Sequence, residues 1–203
     1  MPAASLQKGR TQKISLYDKV FSMIPNTDLY HKALRLAAWA HYGQVTKFGD
    51  PYITHPVAAS YEVLAAQSAG EVFDVDLAAL CAILHDVVEK SDVTLKMIRK
   101  DFGKKVAHGV SAMTKNEALP KEAQLKDSLA RILTQPREVA IAKLADRVSS
   151  MLPPEPEWPD EKVRTILQNA VMIHDMLGEA SDYLAAKLAQ RIRLYETRLR
   201  DAA

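Results

Sequence analysis

Residues 76–90 read DLAALCAILHDVVEK, and the organisation of the chain follows from that run. Leu77, Leu80, Cys81, Leu84 and Val88 recur at helical spacing and predict a core helix over 76–90. His85 stands four residues after Cys81 and three before Val88, so an ionisable ring shares the inward face. Asp86 follows at the expected C-terminal end of that helix. The helix dipole there disfavours a carboxylate unless a cation is near.

Outward from this run the same periodicity continues. Asn26 and Thr27 suit the cap of a helix over 28–41, with Leu34, Ala37, Ala38 and His41 on one stripe. Gly43 and the run Lys47-Phe48-Gly49-Asp50-Pro51 read as a loop. Pro56 suits the first turn of a helix reaching about Ala69. Two short helices are expected over 94–102 and 104–113, with Gly103 between them. Further helices are expected near 121–133 and 136–151. Pro153, Pro154, Pro156 and Pro159 form a rigid connector, and helices over 160–177 and 181–200 complete the pattern. With no convincing strand and no repeat, the expected fold is all-α: a single-domain helical bundle of about eight to ten helices over 26–203. Residues 1–25 are expected to be an N-terminal extension. The first fifteen residues carry Lys8, Arg10 and Lys13 with no acid, a weak transit-peptide pattern better read as a frayed terminus.

Composition bounds the function. The 203 residues hold 27 Lys and Arg against 25 Asp and Glu, a net charge of +2, which implies no nucleic-acid footprint. A local cation cluster for a phosphorylated small molecule remains compatible with that total. No apolar run approaches the roughly 20 residues that span a bilayer. Cys81 is the only cysteine, so no intrachain disulfide forms, which agrees with a cytoplasmic setting.

Polar groups on apolar stripes carry the chemistry. Asp146 continues Val139 and Ala142 along one helix side, as His41 and His85 continue theirs. A buried carboxylate needs a partner or a metal. Taken singly, each group has an ordinary account: a satisfied core histidine, or an aspartate paired with Arg147. Taken together, His41, His85, Asp86 and Asp146 would all be satisfied by one divalent ion. Two imidazoles and two carboxylates leave positions for water and substrate oxygens, which suits a Mn-, Fe- or Mg-like ion better than closed tetrahedral zinc. Glu89, one turn past His85 and Asp86, is placed to orient or deprotonate an attacking water, or is a solvent-facing helix-end acid. Lys47, Lys143 and Arg147 are candidate phosphate contacts, Lys143 and Arg147 being equally suited to pair with core acids, with Lys115 and Lys162 weaker ones. Tyr42 and Tyr52 are expected to pack.

These residues also carry a resemblance. His41-Tyr42-Gly43-Gln44, Lys47, Gly49-Asp50-Pro51-Tyr52, His55-Pro56, Leu84-His85-Asp86-Val87-Val88-Glu89, Met113-Thr114-Lys115 and Lys143-Leu144-Ala145-Asp146-Arg147 resemble the ordered motifs of the HD-domain alarmone hydrolases of the RelA/SpoT type. The resemblance covers roughly residues 28–198 and is to the small, stand-alone members. It implies an HD-type helical bundle, with Mn2+ held at His41, His85, Asp86 and Asp146. It implies removal of the 3′-pyrophosphate of ppGpp and pppGpp, leaving GDP or GTP.

The sequence departs from the family pattern around the substrate. Lys90 stands where a second acid usually follows Glu89. Thr46 stands where an arginine often stacks on the base, Ser150 where an asparagine often lies near the ribose, and Ile166 where a tyrosine is expected. An arginine stacks on a purine, whereas threonine offers a hydroxyl and a methyl. The altered shell raises a different nucleotide as an alternative, such as ppApp or NADPH, with Lys90 meeting phosphate or simply suiting its helix end. A catalytically weakened metal- or nucleotide-binding module is a second alternative. A different HD phosphodiesterase or deoxynucleotide hydrolase is a third, disfavoured by the motif spacing.

Overall fold

The computed structural model describes residues 26–201; the N-terminal extension expected over 1–25 lies outside them. Among the described residues there are nine α-helical segments: α1 (Thr27–Ala40), α2 (Thr54–Ser68), α3 (Val75–Leu84), α4 (Val87–Lys90), α5 (Leu95–Met113), α6 (Lys121–Ile132), α7 (Arg137–Ser150), α8 (Asp160–Leu177) and α9 (Asp182–Asp201). A 3-10 turn, Gly178–Ala180, joins the last two. The all-α expectation therefore holds, and the only β pairing among the described residues is an isolated bridge between Val45 and Pro51.

Helix α3 is the axis of the bundle, wrapped by α1, α2, α5 and α7. Every residue of it except Asp76 is buried, so the single stripe expected from its leucines is too narrow. A helix apolar on all sides belongs inside a layer of other helices. Asp74 caps it, accepting from the Leu77 amide at 3.1 Å. The Asn26 amide that precedes α1 donates to Asp76 at 2.7 Å, tying the starts of α1 and α3 together. Ile83 and Leu84 are fully buried, each contributing roughly 1.5–3 kcal/mol.

Helix α5 reaches this axis through a glycine. A Cβ on Gly109 would sit 2.5 Å from Cys81 Sγ and 3.0 Å from Val139 Cγ2. Only a bare backbone lets α5 pack so close to α3 and α7. Burial pushes the Cys81 thiol up to about 12, so it acts as a small apolar filler. The two short helices expected on either side of Gly103 are present as the two halves of α5, which meet in a kink at that glycine, whose φ of +87° is non-helical.

The expected helix over 76–90 is interrupted. It stops at Leu84 and resumes as the single turn α4, with His85 and Asp86 in the step between. His85 Nδ1 lies 2.7 Å from the Ala82 carbonyl oxygen, so the side chain takes an acceptor that a continuing helix would use. Asp86 therefore opens α4 rather than closing a long helix, and the dipole argument for a nearby cation no longer applies to it.

Candidate metal centre and adjoining cavity

The step between α3 and α4 presents His85 and Asp86 to the first turn of α2 and the middle of α7. His85 Nε2 lies 3.3 Å from Asp86 Oδ2 and 3.6 Å from Asp146 Oδ1. His55, on the first turn of α2, enters the same space: its Nε2 is 3.2 Å from both His85 Nε2 and Asp146 Oδ1. One ligand atom each from His55, His85 and Asp86 falls within 4.8 Å of the others, a spacing that can hold a metal ion. Three of the four expected ligands thus converge, together with a histidine that the stripe argument omitted. The signal for His55 was present: it precedes buried Ala59 and Val63 by four and eight residues.

His41 approaches from the end of α1. It is 3% exposed, and its ring centroid is 4.8 Å from that of Tyr52. The Tyr52 hydroxyl in turn donates to Asp86 Oδ2 in a short hydrogen bond. Gln44 sets the His41 tautomer. Its amide nitrogen donates to the Lys90 carbonyl at 2.7 Å and to the Ala40 carbonyl at 3.3 Å. Its oxygen is therefore turned to accept from His41 Nδ1, at 3.0 Å. That leaves His41 Nε2 as a lone pair, buried and without a hydrogen-bond partner. Burial pushes the imidazole pKa down, against the pull of Gln44 and Asp86, so the ring is neutral as a ligand requires.

Electrostatics point the same way. Burial works against a charged His85, but the Asp86 and Asp146 carboxylates more than offset it and raise the imidazole to about 9. Burial also opposes the charge on Asp146, yet Lys143, His85 and His55 hold it well below the usual carboxylate range. His85, above all others, likewise keeps Asp86 ionised against its burial. Two carboxylates with an imidazolium between them form a site that asks for positive charge. A divalent ion would supply that charge, displace the His85 proton and engage the orphaned His41 nitrogen. In both histidines the Nδ1 hydrogen is already taken by an oxygen, the arrangement that orients a metal-binding imidazole. On this donor set the residues fit a metal.

The other expected site residues divide by location. Thr46, Lys47 and Ser150 line a cavity of about 410 Å³, which Tyr52 and His55 also border. That volume lies in the range of small-molecule sites. The loop between α1 and α2 builds one wall. The Val45–Pro51 bridge and hydrogen bonds from Thr46 N to the Asp50 carbonyl and from Tyr52 N to the Gln44 carbonyl fold it back, with positive φ at Gly43 and Gly49.

The contacts of the remaining cations and of Glu89 differ. Lys143 Nζ pairs with Asp146 Oδ2 at 2.9 Å, and Lys90 Nζ lies 5.5 Å from the Tyr52 ring centre. Arg147 Nε is buried and without a hydrogen-bond partner. Glu89 is held by Lys115, at 2.6 Å from its Nζ and 3.3 Å from its backbone amide. Tyr42 is exposed, while Tyr52, expected only to pack, is part of the polar cluster. Ile166 packs against the core.

A family model described as the HD domain matches residues 33–182. A Mycobacterium leprae protein named as a probable GTP pyrophosphokinase is 32% identical over 174 residues, covering 80% of this chain and 21% of its own length. The Escherichia coli bifunctional (p)ppGpp synthase/hydrolase SpoT is 32% identical over 153 residues, covering 72% of this chain and 21% of its own. The chain thus spans about a fifth of the length of these relatives. Among solved structures, a metazoan ortholog of SpoT that hydrolyses ppGpp superposes with a TM-score of 0.69 at 23% identity, over 81% of this chain and 94% of that one. No helix among the described residues is long and apolar enough to cross a membrane. With the domain match running across most of the bundle and over every residue of the polar cluster, this chain belongs to the HD-domain family.

Proposed function

We propose that this chain hydrolyses the 3′-pyrophosphate of guanosine alarmones, converting ppGpp and pppGpp to GDP and GTP with release of pyrophosphate in the cytoplasm. The observation that carries this reading is the junction of cluster and cavity. Tyr52 and His55 border a cavity large enough for a nucleotide and also contact the carboxylates of the cluster. The relatives that share the bundle and carry hydrolase names supply the substrate class.

In this reading His41, His85, Asp86 and Asp146 hold one Mn2+, with His55 beside them. Mn2+, when bound, supplies Lewis-acid polarisation of a phosphoryl oxygen and a water acidic enough to attack near neutral pH. Gln44, the Ala82 carbonyl and Tyr52 fix His41, His85 and Asp86 in orientation. Glu89 orients or deprotonates the attacking water, with Lys115 holding its carboxylate. Lys143 keeps Asp146 ionised. Lys47 and Arg147 meet substrate phosphate, Lys90 stands near it beyond Tyr52, and Thr46 and Ser150 offer hydroxyls to base or ribose.

A second reading is favoured by the altered shell: the same chemistry on another nucleotide, such as ppApp or NADPH, because the cavity wall holds Thr46 and Ser150, where the resembled family often has arginine and asparagine. A panel of ppGpp, pppGpp, ppApp and NADPH with Mn2+ tests both. Release of pyrophosphate from the guanosine compounds, far faster than turnover of the rest, is the expected result. Turnover of ppApp or NADPH in preference would replace the first reading with the second. Bound Mn2+ with no turnover of any member would leave a binding module.

A further inference from the structure

The cavity has an aromatic wall that the chemistry above does not use. Phe48 lines it and is 38% exposed. Beside it stands Trp158, delivered by the proline-rich connector before α8 and packed against the core. The two rings are stacked, with centroids 6.4 Å apart and planes 20° from parallel. That is an offset pair of the preferred kind.

Two cations back this pair. Lys47 Nζ lies 4.5 Å from the Trp158 centroid and 4.9 Å from that of Phe48, and Lys162 Nζ lies 3.8 Å from Trp158. Burial, then Lys162 and Arg147, lower the Lys47 pKa, with Glu155 opposing. Lys47 and Lys162 thus place positive charge beside the aromatic pair. Leu152 and Ala58 add apolar surface to the same cavity, and Thr46 supplies no planar group. A ligand that presents both a flat ring and several negative charges is the chemistry that this combination recognises.

We propose that Phe48, stacked with Trp158, is the surface on which the substrate's purine base stacks. The role is specificity-determining and rests on the nucleotide-hydrolase reading above. Stacking on a ring takes any purine, because every base has a π-face. Selection between guanine and adenine then falls to hydrogen-bonding groups elsewhere in the cavity.

The test is calorimetric binding of GDP and of inorganic pyrophosphate to the full chain and to Phe48→Ala and Phe48→Tyr. Loss of one aromatic–base contact weakens GDP binding by about tenfold in Phe48→Ala. Phe48→Tyr restores it, and pyrophosphate, having no base, binds all three alike. In a Trp39→Phe background, GDP quenches the fluorescence of Trp158, and less so in Phe48→Ala. Equal GDP affinity in wild type and Phe48→Ala, or an equal loss for pyrophosphate, overturns the proposal and leaves Phe48 a packing residue. GDP has no 3′-phosphate to lose, so these outcomes are independent of turnover. Absent hydrolysis with Phe48-dependent GDP binding would defeat the functional reading and keep the platform; hydrolysis with Phe48-independent binding would do the reverse.

Discussion

The polar cluster and the cavity wall lie side by side but are held by different means. His85 and Asp86 stand at the end of the buried axis α3 and Asp146 on α7 packed against it, and each side chain is tied by a neighbour: His85 by the Ala82 carbonyl, Asp86 by Tyr52 and Asp146 by Lys143. Thr46, Lys47 and Phe48 come from a folded-back loop whose own fastening is a single β bridge and a few backbone hydrogen bonds. A group buried among opposing charges is hard to replace, because removing one member strands the others in a medium that solvates them poorly. A loop residue facing a cavity loses only its own contact. The departure at Thr46 falls on that loop and the one at Ser150 on the last residue of α7, both facing the cavity, while the four acid and imidazole groups expected to hold the ion are all present.

That contrast sets the order of expected effects. The largest falls on Asp146. Asp146→Ala removes a carboxylate that faces Lys143, His55 and His85, so metal affinity falls by at least about 100-fold, the upper end of the loss for a merely supporting partner. Stability falls by roughly 3–5 kcal/mol from the cations left unpaired. Metal analysis and thermal melting read the two losses, and the helical spectrum persists below the melting point. Retained metal would remove Asp146 from the site.

Tyr52→Phe comes next. It deletes one hydroxyl that fixes Asp86, and the account expects metal binding weaker by about 10- to 100-fold, as for other supporting partners. Mn2+ titration checks it, and an unchanged affinity would make that hydrogen bond incidental.

The smallest effect belongs to the wall. Thr46 Oγ1 accepts from the Phe48 amide at 3.2 Å, a contact worth about 0.5–1.5 kcal/mol. Thr46→Ala is expected to raise KM by a few fold while metal content and kcat stay level. A loss of metal in that variant would erase the distinction between the two regions.

How far the sequence disclosed these regions follows from their physics. Helix number and bounds were legible because apolar periodicity records burial, and burial built α1, α2 and α7 as expected. The run over 76–90 misled in two respects. Its stripe hid a helix buried on every side, and its break at His85 depends on a side chain capturing the Ala82 carbonyl, which no periodicity encodes. His55 was legible and passed over, since it stands in register with Ala59 and Val63. The pairing of Phe48 with Trp158 was not legible, because 110 residues separate them and no helical repeat links a loop to a connector. Glu89 shows the same limit: its spacing brought it to the right helix end, but its capture by Lys115 is a long-range contact.

The central claim, one ion shared by distant side chains, is tested most directly by crystals grown with Mn2+ and measured at the manganese absorption edge. The account predicts a single strong anomalous peak per chain, bounded by His41 Nε2, His85 Nε2 and the carboxylates of Asp86 and Asp146. A peak that His41 does not touch, or no peak within this cluster, would contradict it.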